Sequence, residues 1–195
     1  MQDADVEALA TTSKSYFNLE AACAEEMIGI ALSLHPPQVT LVPERREEIT
    51  TEGGLDVRGD VARVESCVRR LRDAGIRVSL FIDPDAETVR LSKECGADAI
   101  ELHTGQYALA GGGEGPALEA LVRCAKMASD LGLAVHAGHG LNVANVGPVA
   151  SIPEVEELNI GHSIVSRAVF VGLPEAVREM RAAMDAARRS GEHSA

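Results

Sequence analysis

A unit of helix, glycine and apolar strand recurs along the chain and limits its architecture more than any single residue does. Val61, Val64, Val68 and Leu71 fall at helical spacing; Asp73-Ala-Gly75 closes that helix, and Arg77-Val-Ser-Leu-Phe-Ile82 follows as a strand. A second pass carries Val89, Leu91 and Cys95, closes at Gly96 and enters Ala99-Ile-Glu-Leu102. Asp83 and Pro84 suit its N-cap and first turn. A third runs from Pro116 to Leu131, closes at Gly132 and continues into Leu133-Ala-Val135. Each glycine supplies the left-handed residue that ends its helix. The alternation extends outward, with strands expected over Tyr16–Glu20, Val39–Val42 and Glu157–Ile160 and helices over Glu25–Leu34, Ser163–Val171 and Pro174–Arg189. About six strands joined by helical crossovers make a parallel sheet. Most of the strands read as apolar throughout, as they do when both faces are covered.

Such a sheet forms an open doubly wound fold or a (β/α)8 barrel. A full barrel takes roughly 250 residues, so this chain is short by roughly two strands and a helix. The expectation is a single α/β domain over residues 1–195: a TIM barrel, incomplete at about six βα units and lacking its first two strands, with residues 190–195 as a loose tail. The polar segment that leads straight into Tyr16 suggests that an N-terminal piece is missing.

The expected strand ends collect chemistry, as the active face of a parallel sheet does. They read Glu20, then Pro43-Glu44-Arg45-Arg46 with Thr50-Thr-Glu-Gly-Gly54, then Asp83, Glu101-Leu-His103-Thr104-Gly105, His136-Ala-Gly-His139-Gly140, and Gly161-His162. Histidine brings acid–base chemistry near neutral pH. His139, between two glycines, is better placed for a ligand than His136. Glu101 alternates with Ile100 and Leu102 and is expected to point into the barrel, where a carboxylate is costly unless it serves a ligand; His103 is expected to face the helices as a structural residue. Glu20 reads either as a surface carboxylate or as a base whose pKa burial raises. Arg45 and Arg46 offer phosphate contacts or pair with Glu44, Glu47 and Glu48. Gly161-His162 opens a helix directly after the last strand, and such an N-terminus suits an anion. The Gly111–Gly115 run carries a carboxylate and lacks the P-loop lysine, so it reads as a flexible loop. Lys14, Lys93 and Lys126 lie away from every strand end, which disfavours a lysine Schiff base.

A net charge of −12 argues against a nucleic-acid partner. No apolar run is long enough to span a membrane, and the acidic start is not a signal peptide. Cys23, Cys67, Cys95 and Cys124 are scattered, as reduced core thiols of a cytoplasmic protein are.

The segments Phe17-Asn-Leu-Glu20, Leu41-Val-Pro-Glu-Arg45 through Thr50-Thr-Glu-Gly-Gly-Leu-Asp56, Val78–Asp83, Glu101-Leu-His-Thr-Gly105, Ala137-Gly-His-Gly-Leu141 and Glu157-Leu-Asn-Ile-Gly-His162 together resemble the pyridoxine 5′-phosphate synthase family. The resemblance runs from about Ala4 to the final helix. It implies a (β/α)8 barrel assembled into octamers, with no metal or organic cofactor. It implies condensation of 3-amino-2-oxopropyl phosphate with 1-deoxy-D-xylulose 5-phosphate to pyridoxine 5′-phosphate, phosphate and water. By resemblance Glu20 is a proton acceptor, His139 a proton donor, and Glu101 stabilises charged intermediates. Thr50 contacts the deoxyxylulose phosphate, while Gly140, Gly161 and His162 hold the aminoketone phosphate.

The family also begins with a strand carrying Asn-x-Asp-His and a later one carrying His-Leu-Arg-Glu-Asp-Arg-Arg-His, and neither motif occurs here. The barrel is therefore expected to be open at the first and last strands, less stable, and weak or silent in turnover. Two alternatives stay open: a phosphate-binding remnant without turnover, and a metal-dependent hydrolase using His136, His139, His162 and Glu101.

Overall fold

Six parallel strands lie in strict chain order, each joined to the next by a crossover containing helix. They are β1 (Asn18–Ala22), β2 (Gln38–Val42), β3 (Arg77–Ile82), β4 (Ala99–His103), β5 (Ala134–Gly138) and β6 (Val155–Asn159). The computed structural model describes residues 2–44 and 53–192. A doubly wound sheet would reverse its order at a switch point; this one never does, so it has the arrangement of consecutive barrel strands. β1 and β6 form its two ends.

Helices α2 (Glu25–Leu34), α3 (Val61–Asp73), α4 (Ala86–Glu94) and α6 (Pro116–Asp130) fall where periodicity puts them, and Gly75, Gly96 and Gly132 all have positive φ. α8 (His162–Val171) and α9 (Leu173–Glu192) complete the fold, α9 running past the expected end at Arg189. Three helices were not foreseen: α1 (Asp3–Thr12), α5 (Gly105–Leu109) and α7 (Val146–Ala150). The latter two span five residues each, too short to show a 3.6-residue period. The cap of α4 is Asp85, which accepts from the Glu87 and Thr88 amides; Asp83 is not the cap.

The strands are not apolar throughout. Val39, Leu41, Val78, Leu80, Ile82, Ile100, Leu102, Val135 and Ala137 point outward and make the core under the helices. The alternate positions, in register across the sheet, are Asn18 and Glu20, Gln38 and Thr40, Ser79 and Phe81, Glu101 and His103, His136, and Glu157 and Asn159. Most of these are polar, and Gln38, Thr40, Ser79, Glu101, His103 and His136 are buried. The two-residue period also corrects the expectation for His103: a residue two on from Glu101 shares its face. Both project to the polar side.

All four cysteines are buried and free, and the Cys23 and Cys67 thiols hydrogen-bond each other.

Candidate active site

Glu101 is only 4% exposed, in the middle of β4. Its Oε2 accepts a 2.8 Å hydrogen bond from Asn159 Nδ2 across β5. Gly138 makes the path possible, since a Cβ there would sit 2.3 Å from Glu101 Oε1. Burial, then the negative charges of Glu20 and Glu157, push the Glu101 carboxyl up to about 8, against the Asn159 bond that lowers it. It therefore holds its proton at neutral pH and can release it when positive charge arrives.

His139 follows one residue beyond Gly138, half-buried and at φ +83. Few non-glycine residues take a left-handed backbone without support. The support comes from Thr104, whose hydroxyl donates to the carbonyls of Gly138 at 2.7 Å and His139 at 2.5 Å. The next residue, Gly140, has φ +75, and its carbonyl accepts from Asn145 Nδ2 at 3.2 Å. Tyr107 hydroxyl bonds to the carbonyls of Gly112 and Asn145, so the Gly111–Gly115 loop, expected to be flexible, is tied to this turn.

The His139 ring meets His103 edge-on at 4.9 Å between centroids. His103 Nδ1 lies 2.9 Å from Asp83 Oδ1 at the end of β3. The His103 hydrogen bond, with that of the Gly54 amide, lowers the Asp83 pKa. Gly54 lies against the backbone of Ile82 and Asp83 so closely that a Cβ would be 2.4 Å from the Asp83 nitrogen. Gly53 and Gly54 thus lie at the end of β3, whereas Thr50, Arg45 and Arg46 lie outside the described residues.

Gly161 and His162 open α8 at the end of β6, both exposed, with no side chain capping the helix. Ser163 donates to the Leu141 carbonyl at 2.7 Å, which draws the first turn of α8 against the Gly140-Leu141 segment. Unpaired amides of a helix start beside a glycine turn suit a phosphate.

Glu101 Oε1 therefore lies against Gly138, the residue before His139, and the Ser163 hydroxyl joins the first turn of α8 to Leu141, the residue after Gly140. Glu20 stands exposed on β1 and reaches Glu101 through its charge. His136 is buried two register positions before Gly138, opposite Glu101, with Nδ1 3.8 Å from Glu157 Oε1, and burial lowers its pKa. Among the described residues no cluster of three His, Cys, Asp or Glu could hold a metal, so His136, His139, His162 and Glu101 are not gathered as ligands. Asp83 and Thr104 stand among the expected strand ends, but their partners His103, Gly138 and His139 do not follow from the sequence. The residue that sequence reasoning passed over is Asn159, and it had a usable signal, alternating with Glu157 on a strand whose neighbour carries His136.

Comparison with known proteins adds a separate line of observation. The family described as "Pyridoxal phosphate biosynthesis protein PdxJ" matches residues 1–186. A Synechococcus protein named pyridoxine 5′-phosphate synthase is 56% identical over 186 residues, covering 94% of this chain and 78% of that protein. Proteins of the same name from Trichlorobacter lovleyi and Geobacter sulfurreducens are each 53% identical over 182 residues, covering 92% of this chain and 76% of theirs. The solved structure of the Amycolatopsis orientalis BexX/CysO complex superposes with a TM-score of 0.67 at 19% identity, over 97% of this chain and 75% of that one. At that identity the match speaks for the fold alone.

Proposed function

The chain belongs to the PdxJ family of pyridoxal phosphate biosynthesis proteins, and on that premise we propose that it acts as a pyridoxine 5′-phosphate synthase. The reaction joins 3-amino-2-oxopropyl phosphate to 1-deoxy-D-xylulose 5-phosphate, releasing phosphate and water. The observation that carries the assignment to this site is Glu101: a buried carboxyl with a pKa near 8, one strand from a histidine held in a strained turn.

The amine that forms the imine comes from the aminoketone, which accords with strand ends that carry no lysine. Glu20 accepts a proton from the condensing substrate, and its exposure leaves it free to exchange that proton with solvent. Glu101 ionises as the nitrogen becomes cationic; a carboxyl with a pKa near 8 crosses between its forms at little cost near neutral pH. His139 returns a proton to the departing oxygen. The α8 start, with Gly140, Gly161 and His162, holds the aminoketone phosphate, and Thr50, which precedes in the chain the Gly53-Gly54 segment packed against β3, contacts the other phosphate. Self-association, as in the octamers of the family, is supported by Val165, Val169 and Phe170, which α8 leaves 63%, 80% and 81% exposed. A cytoplasmic location accords with the absence, among the described residues, of any helix long and apolar enough to cross a membrane.

The test is turnover with both phosphorylated substrates, reading pyridoxine 5′-phosphate and phosphate by chromatography. Product that is lost in Glu20→Gln and His139→Ala is the expected result. Product unaffected by either substitution would remove these roles, and no product from the unmodified chain would overturn its assignment as a working synthase.

A further inference from the structure

His103 has no part in the proton transfers above, yet it is built into their support. It is 3% exposed, with its ring 4.9 Å from that of His139 and 5.0 Å from that of Phe81, both edge-on. Asp83 carries a carboxylate, which only accepts hydrogen bonds, so His103 Nδ1 bears the hydrogen and donates across the 2.9 Å contact. The same carboxylate accepts from the Gly54 amide. His103 Nε2 is buried and has no hydrogen-bond partner among the described residues. It occupies the space that a side chain on Gly105 would need, 2.6 Å from where that Cβ would be. Thr104, between these two residues, holds the His139 carbonyl.

A histidine that merely fills space needs no fixed tautomer and no glycine cleared beside it. Here one ring nitrogen is committed to a carboxylate, which fixes both the tautomer and the plane of the ring. The plane so fixed is packed against His139. We propose that Asp83 and His103 form a carboxylate–imidazole pair that orients the His139 ring, making His103 a positioning residue for the transfer assigned to His139. The pair rests on that assignment for its function but not for its existence. Because Asp83 also bonds to Gly54, the same carboxylate joins the segment that follows Thr50 to the β4 end.

Ring-nitrogen NMR of the full chain labelled at its six histidines tests the pair without any need for turnover. Asp83 is half exposed, so Asp83→Ala is expected to fold, with far-UV circular dichroism as the check. In the unmodified chain His103 shows the proton on Nδ1. In Asp83→Ala that tautomer is lost, and the tautomer balance of His139 changes with it. His103→Leu changes it likewise, whereas His103→Asn, which keeps an amide donor for Asp83, returns part of it. In steady-state kinetics Asp83→Ala and His103→Leu each lower kcat about tenfold or more, while KM moves less than about threefold. A His139 tautomer balance unchanged in Asp83→Ala would overturn the pair. A changed balance with unaltered kcat would leave the pair standing and remove His139 as proton donor.

Discussion

Glu101→Gln should abolish a pH dependence of stability that the fold itself creates. In the unfolded chain this carboxyl titrates near its ordinary 4.5, and in the folded protein at about 8. The folded state therefore binds the proton more tightly. Below about pH 4.5 both states hold it and the group costs nothing. As pH rises from there to 8 the unfolded state gains by ionising while the folded state does not, so stability falls, and above 8 the loss is complete. At about 1.4 kcal/mol for each pH unit, the full loss is on the order of 5 kcal/mol. Gln keeps an oxygen to accept from Asn159 and cannot ionise. Urea unfolding midpoints at one-unit steps from pH 5 to 9 would then diverge, with the variant gaining on the unmodified chain as pH rises and the gap levelling off beyond 8. Every other titrating group is common to both proteins and cancels in the difference. Glu20→Gln removes the largest charge that raises this carboxyl, so in that background the gap opened by Glu101→Gln should level off at a lower pH and a smaller size. A stability difference between Glu101→Gln and the unmodified chain that stays constant from pH 5 to 9 would refute the reasoning.

Thr104→Val keeps the side-chain shape and deletes the hydroxyl that two backbone carbonyls share, so chemical denaturation should show a loss of about 1–3 kcal/mol; an unchanged midpoint would show that the turn stands without it. All four thiols are buried, and burial with the neighbouring Cys67 pushes Cys23 up to about 12, so a colourless aromatic disulfide reagent at pH 8 should release almost no thiolate until the protein is unfolded; rapid reaction of even one native thiol would contradict the packing.

The barrel-like order was legible because each helix carries its own period and each stop is a glycine whose conformation the chain requires. The end strands were less so. β1 was expected two residues too early, and β6 two too late at its start and one at its end; among the described residues each pairs on one side only, so apolar content is a weaker guide to where pairing begins and stops. The polar inner face was hidden for another reason. Ser79, Glu101 and His136 each sit directly between two apolar neighbours, Val78 and Leu80, Ile100 and Leu102, Val135 and Ala137, and the eye sums the run before it counts by twos. Counting by twos would have placed His103 beside Glu101. The Glu101–Asn159 and Asp83–His103 bonds join residues 58 and 20 positions apart, and only the register of the sheet brings such pairs together.

The left-handed turn at His139 has a consequence for anyone who tries to make this protein more robust. Glycine would rest at φ +83 without strain, and asparagine with little. A search guided by thermal tolerance alone would therefore drift toward His139→Gly and settle there, rewarding a chain that melts later and has surrendered the imidazole proposed above as proton donor. Durability and chemistry are set against each other at a single backbone angle, and any selection for the first must hold that position fixed.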